Sequence, residues 1–135
     1  ILELEARMPK KDFDSGVGFR CVMPKGKNLP QGYQSEISDI RSGGIFDIGV
    51  GWMNPPEEEK KIQDFVNRTG TFLRPGKWNQ IRVICKGRRI RTWVNGQLCS
   101  DIEDAKHKSG VIGLQHHSKE GVYRFRNLRI RELKP

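Results

Sequence analysis

Five polar side chains in three stretches of this sequence have the types and spacing to act on one molecule. In GYQSEISD (32–39), Gln34 and Glu36 lie two residues apart, and in GLQHHS (113–118) the same holds for Gln115 and His117. In SGVGFR (15–20), Arg20 falls on the alternate positions to Val17 and Phe19. An extended chain points successive side chains to opposite sides, so residues of one parity share a face. With Val17, Phe19, Ile37 and Leu114 turned to a core, Arg20, Gln34, Glu36, Gln115 and His117 line one polar sheet surface. A guanidinium, a carboxylate, an imidazole and two amides on one face suit a polyhydroxylated ligand. Asp47 is the only other carboxylate to nominate beside Glu36 for ordinary glycoside hydrolysis, which needs two flanking the bond. Trp52 and Trp93 offer flat platforms for a sugar ring.

Each residue also has a plainer reading. Glu36 and Arg20 can form a cross-strand ion pair, and His117 can be a solvated surface histidine. Trp93 can fill packing space in a hairpin, while Trp52, beside a Gly-rich segment, is better placed for a site rim. His117, Glu36 and Asp47 could ligate a divalent metal, but no spacing demands one. Adjacent His116 and His117 project to opposite faces and are not expected to share an ion.

The elements that must position these groups read almost entirely as strands. ILELEARM (1–8) alternates Leu2, Leu4 and Ala6 with Glu3, Glu5 and Arg7, and DSGVGFRCVM (14–23) follows. GYQSEISDI (32–40) and a Gly-rich GGIFDIGVGW (43–52) come next. WNQIRVICK and RIRTWVNG form a hairpin closed near Lys86-Gly87-Arg88, and Asn95-Gly96 marks a second tight turn. SGVIGLQHHS (109–118) and VYRFRNLRIREL (122–133) complete the set. Such spacing of strands and turns predicts a single antiparallel sandwich domain over 1–135. PPEEEKKIQDFVNR (55–68) reads as either a helix, opened by Pro55 and Pro56, or an ordered loop. Cys21, Cys85 and Cys99 read as core residues, with one disulfide as the alternative.

The formal net charge is +9, with 30% charged and 35% apolar residues. Much of the charge falls in residues 78–98, which raises the question of a nucleic-acid surface. The spacing favours another answer. Ile81, Val83 and Cys85 face Ile90, Thr92 and Val94, which leaves Arg82, Lys86, Arg89 and Arg91 in water. No nucleic-acid partner is therefore expected. No apolar run approaches membrane-spanning length, so no membrane partner is expected either.

W-N-x-I-R-V…K-G-x-R-I-R-T-W-V-N-G resembles the hairpin of concanavalin-like lectin and glucanase sandwiches. DSGVGFR, GYQSEISD, SGGIFD, RPGKWNQIRV, SGVIGLQHHS and FRNLRIREL, in this order from about Leu2 to Leu133, narrow this. The chain resembles the 3-keto-disaccharide hydrolase domain family. That resemblance implies an all-β jelly-roll and raises the standing of Arg20, Gln34, Glu36, Asp47, Gln115 and His117, which fall on the family's motif positions. It also implies a reaction. A ketone at sugar C3 acidifies the C2 proton, a base removes it, and the C1 substituent leaves by elimination. Water then adds back, or the unsaturated product is released. His117 is the first candidate base and Glu36 the second, with Arg20 or a divalent metal on the enolate oxygen. A carbohydrate-binding module of the same fold is the alternative, favoured by the apolar Ile48-Gly49-Val50 where relatives carry polar residues and by the lack of the relatives' N-terminal strands. Relatives also carry strands before the position of Ile1, so the domain is expected to be N-terminally incomplete, either truncated or completed by a second copy or a segment outside this sequence. The resemblance suggests a periplasmic or extracellular location.

Overall fold

The alternation of Leu2, Leu4 and Ala6 with Glu3, Glu5 and Arg7 becomes strand β1 (Leu2–Arg7), whose apolar residues are all buried. In the computed structural model, which describes residues 1–117 and 119–134, this strand belongs to the first of two five-stranded antiparallel sheets. Its partners are β6 (Trp78–Lys86), β7 (Arg89–Val94), β8 (Gln97–Glu103) and β10 (Arg124–Ile130), in the order β10-β1-β6-β7-β8. The second sheet contains β2 (Asp14–Val22), β3 (Gln31–Ser38), β4 (Ile45–Asp47), β5 (Gly51–Asn54) and β9 (Val111–His116), in the order β5-β4-β3-β2-β9. Leu4, Ile81, Ile90 and Val94 from one sheet meet Val17, Tyr33, Ile37 and Ile45 from the other in a single buried core. The expected strand 109–118 is β9 over Val111–His116, and Ser118 lies outside the described residues.

The hairpins form as their turn residues dictate. Asn95 and Gly96 both adopt left-handed backbone (φ 50° and 79°), the pair of conformations a two-residue hairpin turn requires. The Gly-rich 43–52 segment is not one strand, as its composition suggests. It is two short ones, β4 and β5, with Ile48-Gly49-Val50 in the turn between them. The stretch from Pro55 resolves to helix α1 (Glu59–Thr69), which buries Phe65 and Thr69. Arg68 donates to the Leu98 and Cys99 carbonyls at 2.9 and 2.6 Å, so the helix covers the β8 side of the sandwich. Covering a sheet edge in this way satisfies backbone groups that would otherwise recruit another strand. All three cysteines are free thiols, with Cys21 and Cys99 buried.

The basic residues of 78–98 do take the solvated face of the first sheet. There Arg82 and Arg129 pair with Glu3, and Arg126 pairs with Glu5. The Arg82 and Arg91 guanidiniums lie over Trp93, and that of Arg126 lies 3.8 Å from the Trp78 ring centre.

The side bounded by β9 and β10 is open. Leu114 is in register with buried Val17, and Ile130 with buried Leu2, yet they remain 44% and 68% exposed.

Candidate active site

The outer face of the second sheet collects the polar groups. Gly16 pairs with Glu36 and Gly18 with Gln34 across β2 and β3, while Gly16 pairs with Gln115 and Gly18 with Gly113 across β2 and β9. Directly paired residues share a face, so Gln34, Glu36, Gln115 and Gly113 stand on the side opposite Val17 and Phe19. His117 N–H donates to the Asp14 carbonyl at 3.0 Å, which continues the β2–β9 ladder and brings His117 to the same side.

Glycines on β2 make room for this arrangement. A Cβ at Gly16 would come within 2.5 Å of Gln34 Cδ, so the Gln34 side chain lies directly over the Gly16 backbone. From there Gln34 Nε2 donates to Glu36 Oε1 at 3.0 Å. Glu36 is 8% exposed. Burial, reinforced by the negative charge of Asp14, pushes its carboxyl up to about 8, against the opposing effects of the Gln34 hydrogen bond and the Arg41 charge. Near neutral pH, Glu36 is therefore mostly protonated and can give up a proton.

Beside it, His117 Nδ1 lies 2.8 Å from Asp14 Oδ2, which orients an otherwise exposed ring. A carboxylate holding one imidazole nitrogen leaves the other free to accept a proton. At the β4 end, Phe46 pairs with Gln34 and Trp52 with Phe46, and the two rings meet edge-on at 5.3 Å. Arg41 lies over Trp52 at 4.5 Å and is held by Glu57 at 3.0 Å. Among the described residues Gln115 Oε1 is buried without a hydrogen-bond partner, and a Cβ added at Gly113 would meet nothing within 4 Å.

The structure thus brings Gln34, Glu36, Gln115, His117 and Trp52 to one face and leaves three predicted residues elsewhere. Arg20 is turned away by a β-bulge. The β2–β3 register slips between Phe19 and Val22, and Arg20 itself has left-handed backbone (φ 51°). An extra residue re-aims the side chains around it, and Arg20 donates instead to the Gly87 and His107 carbonyls at 3.0 and 3.3 Å. Asp47 pairs with Tyr33 and so shares the inward side, because it is Phe46 that stands beside Gln34. There it is held by Lys106 at 2.8 Å and His107 at 2.9 Å. Trp93 belongs to the other sheet altogether, on its arginine-lined outer face.

Asp14, Arg41 and Phe46 went unnamed at the sequence level. Asp14 shares the parity of Gly16 and Gly18, so alternation along β2 marks it, whereas Arg41 sits in the β3–β4 turn where no period applies. His107 also went unremarked. It packs edge-on against Tyr33 with ring centres 4.7 Å apart and, with Asp47 and Lys106, pins the segment after β8. Tyr33 is pushed up to about 12 by burial and by its hydrogen bond to Asp104, so it serves this anchor as a neutral phenol.

The ligand trio His117, Glu36 and Asp47 does not converge, since Asp47 occupies the opposite side of the sheet. Among the described residues no three His, Cys, Asp or Glu groups cluster closely enough to hold a metal ion. His117, Glu36 and Asp47 therefore do not form one ligand set.

Two five-stranded antiparallel sheets, with a buried acid and an oriented histidine on one outer face, define a jelly-roll sandwich of concanavalin type. Residues 1–131 match the family described as a 3-keto-alpha-glucoside-1,2-lyase-like domain, and the chain belongs to this 3-keto-disaccharide hydrolase family. Two candidate glycosyl hydrolases from Parabacteroides distasonis share the fold. One aligns with TM-score 0.64 at 15% identity over 94% of this chain, the other with TM-score 0.60 at 19% identity over 98%. The chain spans 66% of the first and 77% of the second. No curated protein matches it. Family membership supports a glycosidase-type role, and the two neighbours show the fold.

Proposed function

We propose that this face cleaves 3-keto-glycosides by removing the C2 proton and eliminating the C1 substituent, with water adding back for net hydrolysis. The observation that carries the reading is the pairing on one face of an Asp14-oriented His117 with a buried Glu36 pushed up to about 8. An imidazole held at one nitrogen by a carboxylate can take a proton at the other, and a buried acid that keeps its proton can give it up. The free His117 nitrogen takes the C2 proton. The electron pair moves into the C2–C3 enolate and then forms the C1–C2 double bond as the C1–O bond breaks. Glu36 gives its proton to the departing oxygen. Arg41, not Arg20, is the cation on this side available to the enolate oxygen. Gln34 and Gln115 supply hydrogen bonds to sugar hydroxyls, and Trp52 flanks them.

One of the two grounds for the alternative, a non-catalytic sugar-binding module, is the apolar Ile48-Gly49-Val50 run. Those residues form the β4–β5 turn and leave the polar face unaltered. Incubation with an aryl 3-keto-glucoside and with 3-keto-trehalose, with and without chelator, separates the readings. Release of the leaving group is expected in both conditions. Saturable binding of the sugar with no release would instead make this a binding module.

Gly113 gives a second check. It lies within a strand, is not in left-handed backbone, and opens on empty space over the polar face. Glycine inside a strand costs roughly 0.5–1 kcal/mol and often marks close approach of a ligand. Gly113→Val is expected to melt at the same temperature or slightly higher, while sugar affinity measured by calorimetry falls about tenfold or more. Undiminished affinity would remove the ligand from this strand.

A further inference from the structure

One end of the sandwich combines aliphatic loop tips with uncompensated positive charge. The β2–β3 loop and the β4–β5 turn meet there, since Lys27, Leu29, Ile48, Val50 and Lys106 line one cleft of about 380 Å³. At their crests Met23, Leu29 and Val50 are 61%, 65% and 70% exposed. The β6–β7 turn lies at the same end, because Arg20 bonds to both the Gly87 and the His107 carbonyls.

Lys25, Lys27, Lys86, Arg88 and Lys108 are exposed at this end and make no ion pair among the described residues. Asp47 and Asp104, the acids beside them, are already engaged by Lys106, His107 and Tyr33. Two acids without ion pairs among the described residues remain nearby, Glu103 in register with Arg89 beside Arg88, and Glu132 across the groove shared with Lys86 and Lys108, against these five cations.

We infer that this end docks peripherally on an anionic lipid bilayer. Single aliphatic side chains raised on separate loops can enter the headgroup boundary, while lysines reach outward to anionic phosphates. A protein partner would more typically meet aromatic residues and arginine in a contiguous patch, and lysine is depleted at such interfaces. The expectation of no membrane partner rested on the lack of a spanning segment. No helix among the described residues is long and apolar enough to cross a membrane. Docking by loop tips needs no such helix.

The test is cosedimentation with vesicles of phosphatidylcholine, alone or with roughly one third phosphatidylglycerol, at about 0.15 M salt. Binding is expected only with the anionic lipid. Lys25→Glu with Lys27→Glu, and separately Leu29→Asp with Val50→Asp, should each weaken it about tenfold or more. Lys60→Glu with Arg124→Glu changes net charge as the lysine pair does, at exposed sites on α1 and β10, and should weaken binding by less than about threefold. Equal losses from both charge-reversed pairs would overturn the proposal in favour of a general effect of net charge. Failure to bind anionic vesicles would overturn it, as would indifference to the loop-tip pair. Retention on an acidic polypeptide that depends on Lys25 and Lys27 but not on Leu29 and Val50 would reassign the end to a protein partner.

Discussion

His117→Ala should lower release of the leaving group from every 3-keto-glycoside by about 10²- to 10⁴-fold, whatever that leaving group is. Glu36→Gln should behave differently. A nitrophenolate departs without a proton, so an aryl 3-keto-glucoside should lose little more than about tenfold. A sugar alkoxide needs protonation as it leaves, so 3-keto-trehalose should lose about 10²-fold or more. The distinction follows from position. His117 is exposed and held by Asp14 at 2.8 Å, ready to accept a proton, whereas Glu36 is buried and retains one. Asp14→Asn should fall between, because it keeps the size of the group that orients the ring but removes its charge. Deuterium at C2 should slow the wild-type enzyme if proton removal limits the rate. Initial rates across this set are the measurement. Turnover by His117→Ala that matches wild type on both substrates would remove the base from the scheme.

Much of the scaffold is legible in the alternation of the sequence, and each exception has its own physical cause. Leu2, Leu4, Ala6, Ile81, Val83, Ile90 and Val94 all point inward as their parity requires. Asn95-Gly96 names its own turn. The same period places Gln34 with Glu36 and Gln115 with His117, and long uninterrupted strands keep that inference intact. Arg20 breaks it because a bulge adds one residue to β2, and a non-glycine in left-handed backbone leaves no mark in the sequence. Asp47 breaks it because β4 is only three residues long, so its face depends on register against β3, which Phe46 and Gln34 set. Trp93 shows a different limit. Parity correctly turns it outward with Arg91, but only the strand order reveals that its sheet is not the one bearing Glu36. Arg41 acts from a turn, where side-chain direction has no period. Alternation assigns faces within a strand; it does not say which faces will adjoin.

Glu36 should also leave a signature in stability that requires no substrate. Its carboxyl is pushed from 4.5 in the ordinary state up to about 8 when folded, chiefly by burial. Between those values the folded chain holds a proton that the unfolded chain releases, so stability falls as pH rises. The contribution is fully present below about pH 4.5, declines by close to 1.4 kcal/mol per pH unit, and is exhausted above about pH 8. The amide introduced by Glu36→Gln has no such equilibrium and is close in shape to the protonated acid. Chemical denaturation should therefore find the two proteins nearly equal at pH 4 and the variant more stable by about 5 kcal/mol at pH 9. A stabilising substitution at a buried polar position is expected where a site holds a group for chemistry at the expense of the fold. The same proton links the two experiments. A stability difference that stays constant from pH 4 to pH 9 would mean Glu36 is ionised in the folded protein at neutral pH. It then could not protonate the sugar leaving group, and the selective loss expected on 3-keto-trehalose should fail with it.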